Sequence, residues 1–327
     1  MLGLRRNTSR TATLLVSAAA ALGMAVVAPP GAVAEPTPTL SVSNDALAAA
    51  LHCSGSLADS PNTPVLFIHG ATSNSAADFG WNWHRTFNQL GWSYCSVELP
   101  ENGNGDMQHG AEYVVYALRA MSGAAGRPVS IVGHSLGGII GRWALKYWPD
   151  TRALVDDYIG FASANHGSQV SDGTCASACS AVTWQLRPSS EFLAALNSGG
   201  ETYPEVSYTV IATTIDEAVV PFTSSFLAPA GNVTNAIVQD VCPGETVEHN
   251  GLSYDNATWL IGLDALQHPG PADLSRVDRS SCGQPFMPGV NPITFVGDAA
   301  GALAHSVGTL LAAPKIGAEP ALRPYAL

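Results

Sequence analysis

From residue 65 onward, short apolar runs alternate with longer stretches in which apolar positions recur every three or four residues. Val65-Leu66-Phe67-Ile68 is apolar throughout, which predicts a strand buried on both faces and ending at His69-Gly70. A helix is expected over 82–90, stopped by Gly91, and then a strand over 93–99. Within 112–121, Tyr113, Val114, Ala117, Leu118 and Met121 are spaced to line one helical face. A strand over 129–132 and a helix over 136–148, closed by Pro149, come next, and 158–162 and 208–212 read as further strands. The apolar run 236–241 reads as one more strand with Asp240 at its end, and 292–314 is an Ala/Gly-rich helical region. Strand and helix alternating in this way predict an α/β fold, a mostly parallel central sheet with helices on both faces. No linker divides the chain, so 35–327 is expected to form a single domain.

The N-terminus does not share this pattern. Arg5, Arg6 and Arg10 are followed by an apolar stretch over 11–28 and by Ala32-Val33-Ala34, the small-x-small pattern cut by signal peptidase. Residues 1–34 therefore read as a signal peptide, with cleavage near Ala34 and a loose Pro/Thr-rich leader to Thr39. Pro29 and Pro30 interrupt the stretch, which is too short for a spanning helix, and no later segment is expected to cross a bilayer. A secreted, soluble protein is the expectation.

Charge and cysteines narrow the function classes. The formal net charge is −12, and Lys146 and Lys315 are the only lysines. Such a surface repels phosphate backbones, which excludes nucleic acid as a partner and leaves contact with neutral lipid open. The six cysteines fit an oxidising compartment. Fifteen pairings are open, and the local solution is Cys53–Cys95, Cys175–Cys179 and Cys242–Cys282. No Cys-x-x-Cys occurs, so no metal site is expected. Nothing implies an oligomer, and a monomer is the expectation.

The sharpest chemical signal is Gly133-His134-Ser135-Leu136-Gly137, a G-x-S-x-G motif. Alone it is weak, because the chain's own Gly and Ser content predicts roughly 0.3 chance matches. Its setting, directly after a strand and directly before a helix, predicts a tight turn that strains Ser135 and raises its hydroxyl above the sheet. A Gly-bordered helix start with Ser as N-cap is the alternative. The Leu136 amide would face a developing oxyanion, and the Ala71 amide, after the close-approach residue Gly70, would be the second donor.

A serine nucleophile needs a base, and the base needs an orienting carboxylate. In a fold of this kind the chain order is Ser, acid, His. Asp216 lies just past the strand 208–212 and is the expected acid, with Glu217 as fallback and Asp240 as a carboxylate that only ends a strand. His249, in a polar loop after the run 236–241, is the expected base. His268 reads as a turn residue and His305 as a packing or surface residue of the C-terminal helix. His69 and His134 flank strand ends and read as packing or hydrogen-bonding residues, and His166 as part of the site's rim.

These residues carry a wider resemblance. Pro64-Val65-Leu66-Phe67-Ile68-His69-Gly70, Asn82-Trp83, Leu90-Gly91-Trp92-Ser93-Tyr94-Cys95, Asp216-Glu217-Ala218-Val219-Val220-Pro221 and Glu319-Pro320-Ala321-Leu322-Arg323-Pro324-Tyr325-Ala326 resemble the Candida antarctica lipase B type of secreted α/β-hydrolase lipases. The likeness runs from Cys53 to Tyr325. It implies a Ser135–His249–Asp216 triad and disulfides Cys53–Cys95 and Cys242–Cys282, in agreement with the local pairing; acyl transfer by such a triad needs no cofactor. It departs at Ala71, where the yeast enzyme has a Thr whose hydroxyl also serves the oxyanion, and Thr72 is only adjacent to that place. Cys175–Cys179 has no counterpart there, and 168–187 is expected to act as a lid over the pocket.

A lipase or carboxylesterase acting on carboxylic esters, acylglycerols first among them, is the expected function. A short-chain esterase, a polyester depolymerase and a peptidase are alternatives within the enzyme class. A catalytically dead secreted binding protein is the alternative outside it.

Overall fold

The computed structural model describes residues 37–175 and 177–327, so the expected signal peptide lies outside the described residues. One sheet of seven strands is found among them: β1 (Leu51–Ser54), β2 (Val65–Ile68), β3 (Tyr94–Val97), β4 (Val129–His134), β5 (Val155–Phe161), β6 (Ser207–Ala212) and β7 (Val233–Ile237). The spatial order is β1-β3-β2-β4-β5-β6-β7. Only β1 runs antiparallel to its neighbour.

Both faces are covered, and this explains the continuous apolar runs in the central strands. Leu66, Ile68, Val129 and Ile131 pack into one core with the helices Met107–Ala125 and Gly137–Tyr147. Val65, Phe67, Val132, Ile159 and Phe161 pack into another with Trp83–Leu90 and Asn256–Gln267. Trp83 stacks on Phe161 at 6.0 Å, and Phe67 meets Phe79 at 5.0 Å, so this second core is largely aromatic.

The expected elements are present with shifted ends. The helix expected over 112–121 runs from Met107 to Ala125, because Asp106 caps the Gln108 amide at 3.0 Å and Gly126 ends it at φ 66°. The run 236–241 is a strand only to Ile237. Val238–Val241 then turns helical, so Asp240 sits on a helical turn and not at a strand end. β1 escaped prediction because its middle residues, His52 and Cys53, are exposed and show no apolar alternation; pairing with β3 and the Cys53–Cys95 bridge define it. The local cysteine pairing is the one found: Cys53–Cys95, Cys175–Cys179 and Cys242–Cys282.

Two terminal expectations need correction. The stretch to Thr39 is not loose where it is described: the Pro38 carbonyl accepts from the Trp148 indole at 2.8 Å. Just after it, Glu112, buried in its helix, accepts from the Ser41 hydroxyl at 2.7 Å and the Val42 amide at 3.0 Å. At the other end, the helix Phe295–Ala312 buries none of its residues and is, by length and a mean hydropathy of 1.2, apolar enough to cross a membrane.

Candidate active site

β4 ends at His134, and Ser135 follows at φ 51°, a left-handed conformation that costs a non-glycine residue energy. The turn is held by the Ser135 amide, which donates to the Phe161 carbonyl on β5 at 2.8 Å. Glycine is required on both sides. A Cβ on Gly133 would lie 2.5 Å from the Gly137 carbonyl, and one on Gly137 would fall on the Ile68 carbonyl oxygen. Gly138, which the motif does not include, is also crowded, but mainly by a side chain: its Cβ would overlap the Ser163 hydroxyl, and the nearest main-chain atom, Gly160 Cα, is 3.2 Å away.

His249 Nε2 is 3.1 Å from Ser135 Oγ. Its Nδ1 donates to Asp216, at 2.9 Å to Oδ1 and 3.1 Å to Oδ2. The loop after β6 delivers Asp216 in a fixed pose, because its Oδ1 also accepts from the Ala218 and Val219 amides at 3.0 and 2.7 Å. Glu217, the fallback acid, plays another part, since its carboxylate accepts from the His249 main-chain amide at 3.1 Å. One residue orients the imidazole and its neighbour holds the backbone.

The remaining histidines separate clearly. Fully buried His69 donates from Nδ1 to the Gly70 carbonyl at 2.8 Å and accepts the Leu99 amide on Nε2 at 3.0 Å. Burial pushes its pKa below the usual value, so it is a neutral brace. His134 bonds Asp78 at 2.7 Å. His166 bonds Glu201 at 2.8 Å and does not line the cavity described below. His268 bonds the Asp264 carbonyl at 2.9 Å on its own helix.

Neither the Ala71 nor the Leu136 amide donates a main-chain hydrogen bond among the described residues. Gly103 is what allows the Ala71 loop to sit where it does, since a Cβ there would lie 2.9 Å from the Gly70 carbonyl oxygen and 3.1 Å from Ala71 Cα. Thr72 is in the left-handed region at φ 60°, and its hydroxyl pairs with that of Ser306 at 2.6 Å. Its carbonyl accepts from the Thr309 hydroxyl, also at 2.6 Å. Thr72 is thus tied to the C-terminal helix.

A cavity of about 290 Å³ opens over Ser135 and His249. Ser73, Asp78 and Trp81 line one side, Glu248 and Tyr254 another, and Ala299, Ala302, Leu303 and Ser306 of the C-terminal helix form the cover. No described residue of 168–187, the expected lid, lines it. That segment packs away from it, with the Cys179 amide and carbonyl bonded to Ile316 and the Trp184 indole bonded to the Ile316 carbonyl at 3.0 Å.

Residues 62–235 match the family described as lipase (class 2). The chain belongs to the class 2 lipases. It is 29% identical over 296 residues to lipase B of Pseudozyma antarctica, covering 88% of this chain and 86% of that one. The crystal structure of Aspergillus fumigatus lipase B superposes with a TM-score of 0.84 at 30% identity, covering 90% of this lipase and 74% of that chain. Bacillus licheniformis lipase BlEst2 in its propeptide form, at 18% identity, 68% and 54% coverage and a TM-score of 0.52, shares the fold alone. The lipase is accordingly a lipase-type carboxylic ester hydrolase of α/β-hydrolase fold, and the resemblance to lipase B holds. The matched region spans Ser135 and Asp216 and stops before His249, and it assigns none of the three a role.

Proposed function

We propose that this lipase hydrolyses carboxylic esters, acylglycerols among them, through an acyl-enzyme formed on Ser135. The observation that carries the reading is the unbroken line of hydrogen bonds from Asp216 through His249 to a serine in a strained turn, at 2.9 and 3.1 Å. His249 Nε2 takes the Ser135 proton as Oγ forms its bond to the ester carbonyl carbon. The carbonyl oxygen becomes an oxyanion held by the Ala71 and Leu136 amides. His249 then gives its proton to the leaving alcohol as the ester C–O bond breaks. Water, deprotonated by the same imidazole, attacks the acyl-enzyme and releases the carboxylic acid. Asp216 keeps the ring oriented and compensates its transient positive charge. Two backbone donors stabilise the oxyanion, because Ala71 has no hydroxyl and that of Thr72 is engaged by Ser306.

The three disulfides fit a protein of an oxidising compartment. The reading extends to export with cleavage after Ala34. The test uses the exported wild type and Ser135→Ala on p-nitrophenyl esters of two to sixteen carbons. Loss of kcat on the order of 10⁵-fold in the variant is expected, with fluorophosphonate labelling of the wild type at Ser135 and activity extending to long chains. Intact mass should place the start at Glu35. Wild-type activity in Ser135→Ala would sink the mechanism, and activity confined to two- and four-carbon esters would make the protein a short-chain esterase.

A further inference from the structure

The β2–β4 ladder stops just short of the site. Its last pair is Ile68 with Gly133, and the two chains run on as His69-Gly70-Ala71 and His134-Ser135-Leu136. Both proposed oxyanion amides lie in these continuations, which are no longer paired with each other, so no main-chain bond between them sets the separation of the two amides. Asp78, buried on the short helix Ser75–Phe79, fills that gap. Its Oδ2 accepts from the Gly70 amide at 2.8 Å, and its Oδ1 from His134 Nδ1 at 2.7 Å. The two continuations are close enough for one carboxylate to span: a Cβ on Gly70 would meet Ser135 Cβ at 3.3 Å and His134 Nδ1 at 3.4 Å.

We infer that Asp78, with His134, is a positioning pair for the oxyanion hole, clamping the Ala71 loop to the strand end that carries Ser135 and Leu136. The inference rests on the Ser135 reading above. An unpaired buried carboxylate would be costly, and each oxygen here has a partner. Burial alone would raise the Asp78 pKa, but the His134 ring and the Gly70 amide outweigh it and hold the carboxyl below its usual range. Burial would likewise lower His134, and the Asp78 charge outweighs it, so the imidazole is held above its usual value. The bond to His134 is therefore made by a charged carboxylate, the stronger kind of hydrogen bond. His134 is fixed from a second direction by stacking on Phe161, with ring centroids 5.1 Å apart. Asp78 and His134 both line the cavity, yet neither is assigned a proton transfer.

A misplaced oxyanion donor weakens transition-state binding and leaves ground-state binding nearly untouched. Asp78→Ala should therefore lower kcat on p-nitrophenyl butyrate by about 30- to 100-fold, with KM within a factor of about three. Fluorophosphonate labelling of Ser135 should slow in proportion. Asp78→Asn should recover most of the rate, because its carbonyl oxygen can still accept the Gly70 amide while its NH₂ donates to a neutral His134. His134→Gln, which leaves the Gly70 bond in place, should lose about 3- to 10-fold. Rates are counted per labelled active site, so that a loss of folded protein does not register. Wild-type kcat in folded Asp78→Ala overturns the inference; if that variant does not fold, wild-type kcat in His134→Gln does so. Failure of the wild type to label at Ser135 would instead overturn the underlying reading.

Discussion

The cavity has two unlike walls. On the sheet side, Ser135, His134 and Leu136 stand on strand and helix ends packed into both cores, with Leu136 1% exposed and Phe161 fully buried. On the other side, the C-terminal helix buries none of its residues, and Leu303 and Leu311 are 61% and 77% exposed. The first wall is over-determined by packing. The second is anchored at its start by Phe295, which packs on Phe286 and Tyr254, and further along by the Thr72–Ser306 and Thr309–Thr72 bonds and an Arg85–Asp298 ion pair at 3.4 Å across partly exposed side chains. Chemistry that depends on tenths of an ångström is thus placed where few changes are tolerated. The helix that lines the other side of the cavity is placed where change costs little stability.

The contrast is sharpest at Gly137. A Cβ there overlaps the Ile68 carbonyl oxygen, a main-chain atom of the central strand that cannot move without breaking the ladder. Gly137→Ala is expected to destabilise the lipase by more than about 4 kcal/mol, read as loss of soluble protein or a collapse of the denaturant midpoint. Gly301→Ala, on the cover, meets nothing within 4 Å and serves as the control with unchanged stability. Equal losses in the two variants would mean that the helix belongs to the cooperative core.

Residues differ in how much of their role the sequence displays. Gly133, Ser135 and Gly137 are readable because the constraint is local: strand, turn and helix adjoin along the chain. The preference for Asp216 over Glu217 does not follow from position alone, because both follow the same strand and only side-chain direction separates the imidazole contact from the main-chain one. Asp78 shows no signal at all. It lies in a polar stretch, and its use depends on two strand ends that meet only in the folded sheet, 56 residues apart in its bond to His134. The C-terminal helix is legible as a helix, yet its partner is not, since its ties to Thr72 reach back 234 and 237 residues. The lid expectation over 168–187 draws on a short cysteine loop that follows Gly167, and no described residue of that segment lines the cavity.

Loosening the cover should produce an intermediate effect. Ser306→Ala with Thr309→Val removes both hydrogen bonds to Thr72 and leaves the apolar positions of the helix alone. Each bond contributes about 1 kcal/mol net, and only part of that reaches the neighbouring Ala71 amide. A fall in kcat of about 2- to 5-fold is expected, with a melting temperature within about 2 °C of wild type. A drop of several degrees would erase the distinction between the walls. Unchanged kcat would show that the Ala71 loop needs no support from the helix.

The smallest effect should come from the disulfide loop. Cys175 and Cys179 close a ring over a sequence separation of 4; both are buried, Cys179 pairs with Ile316, and neither lines the cavity. A loop this short restricts the unfolded chain little, so Cys175→Ser with Cys179→Ser should cost about 1–2 kcal/mol at most. Because none of the described residues of 168–187 lines the cavity, the ratio of rates on four-carbon and sixteen-carbon esters should stay within a factor of about two. A shift in that ratio would give the loop a part in substrate access and restore a second cover to the site. A constant ratio beside an altered one in Leu303→Ser, which replaces an apolar lining residue of the C-terminal helix, would assign access to that helix alone.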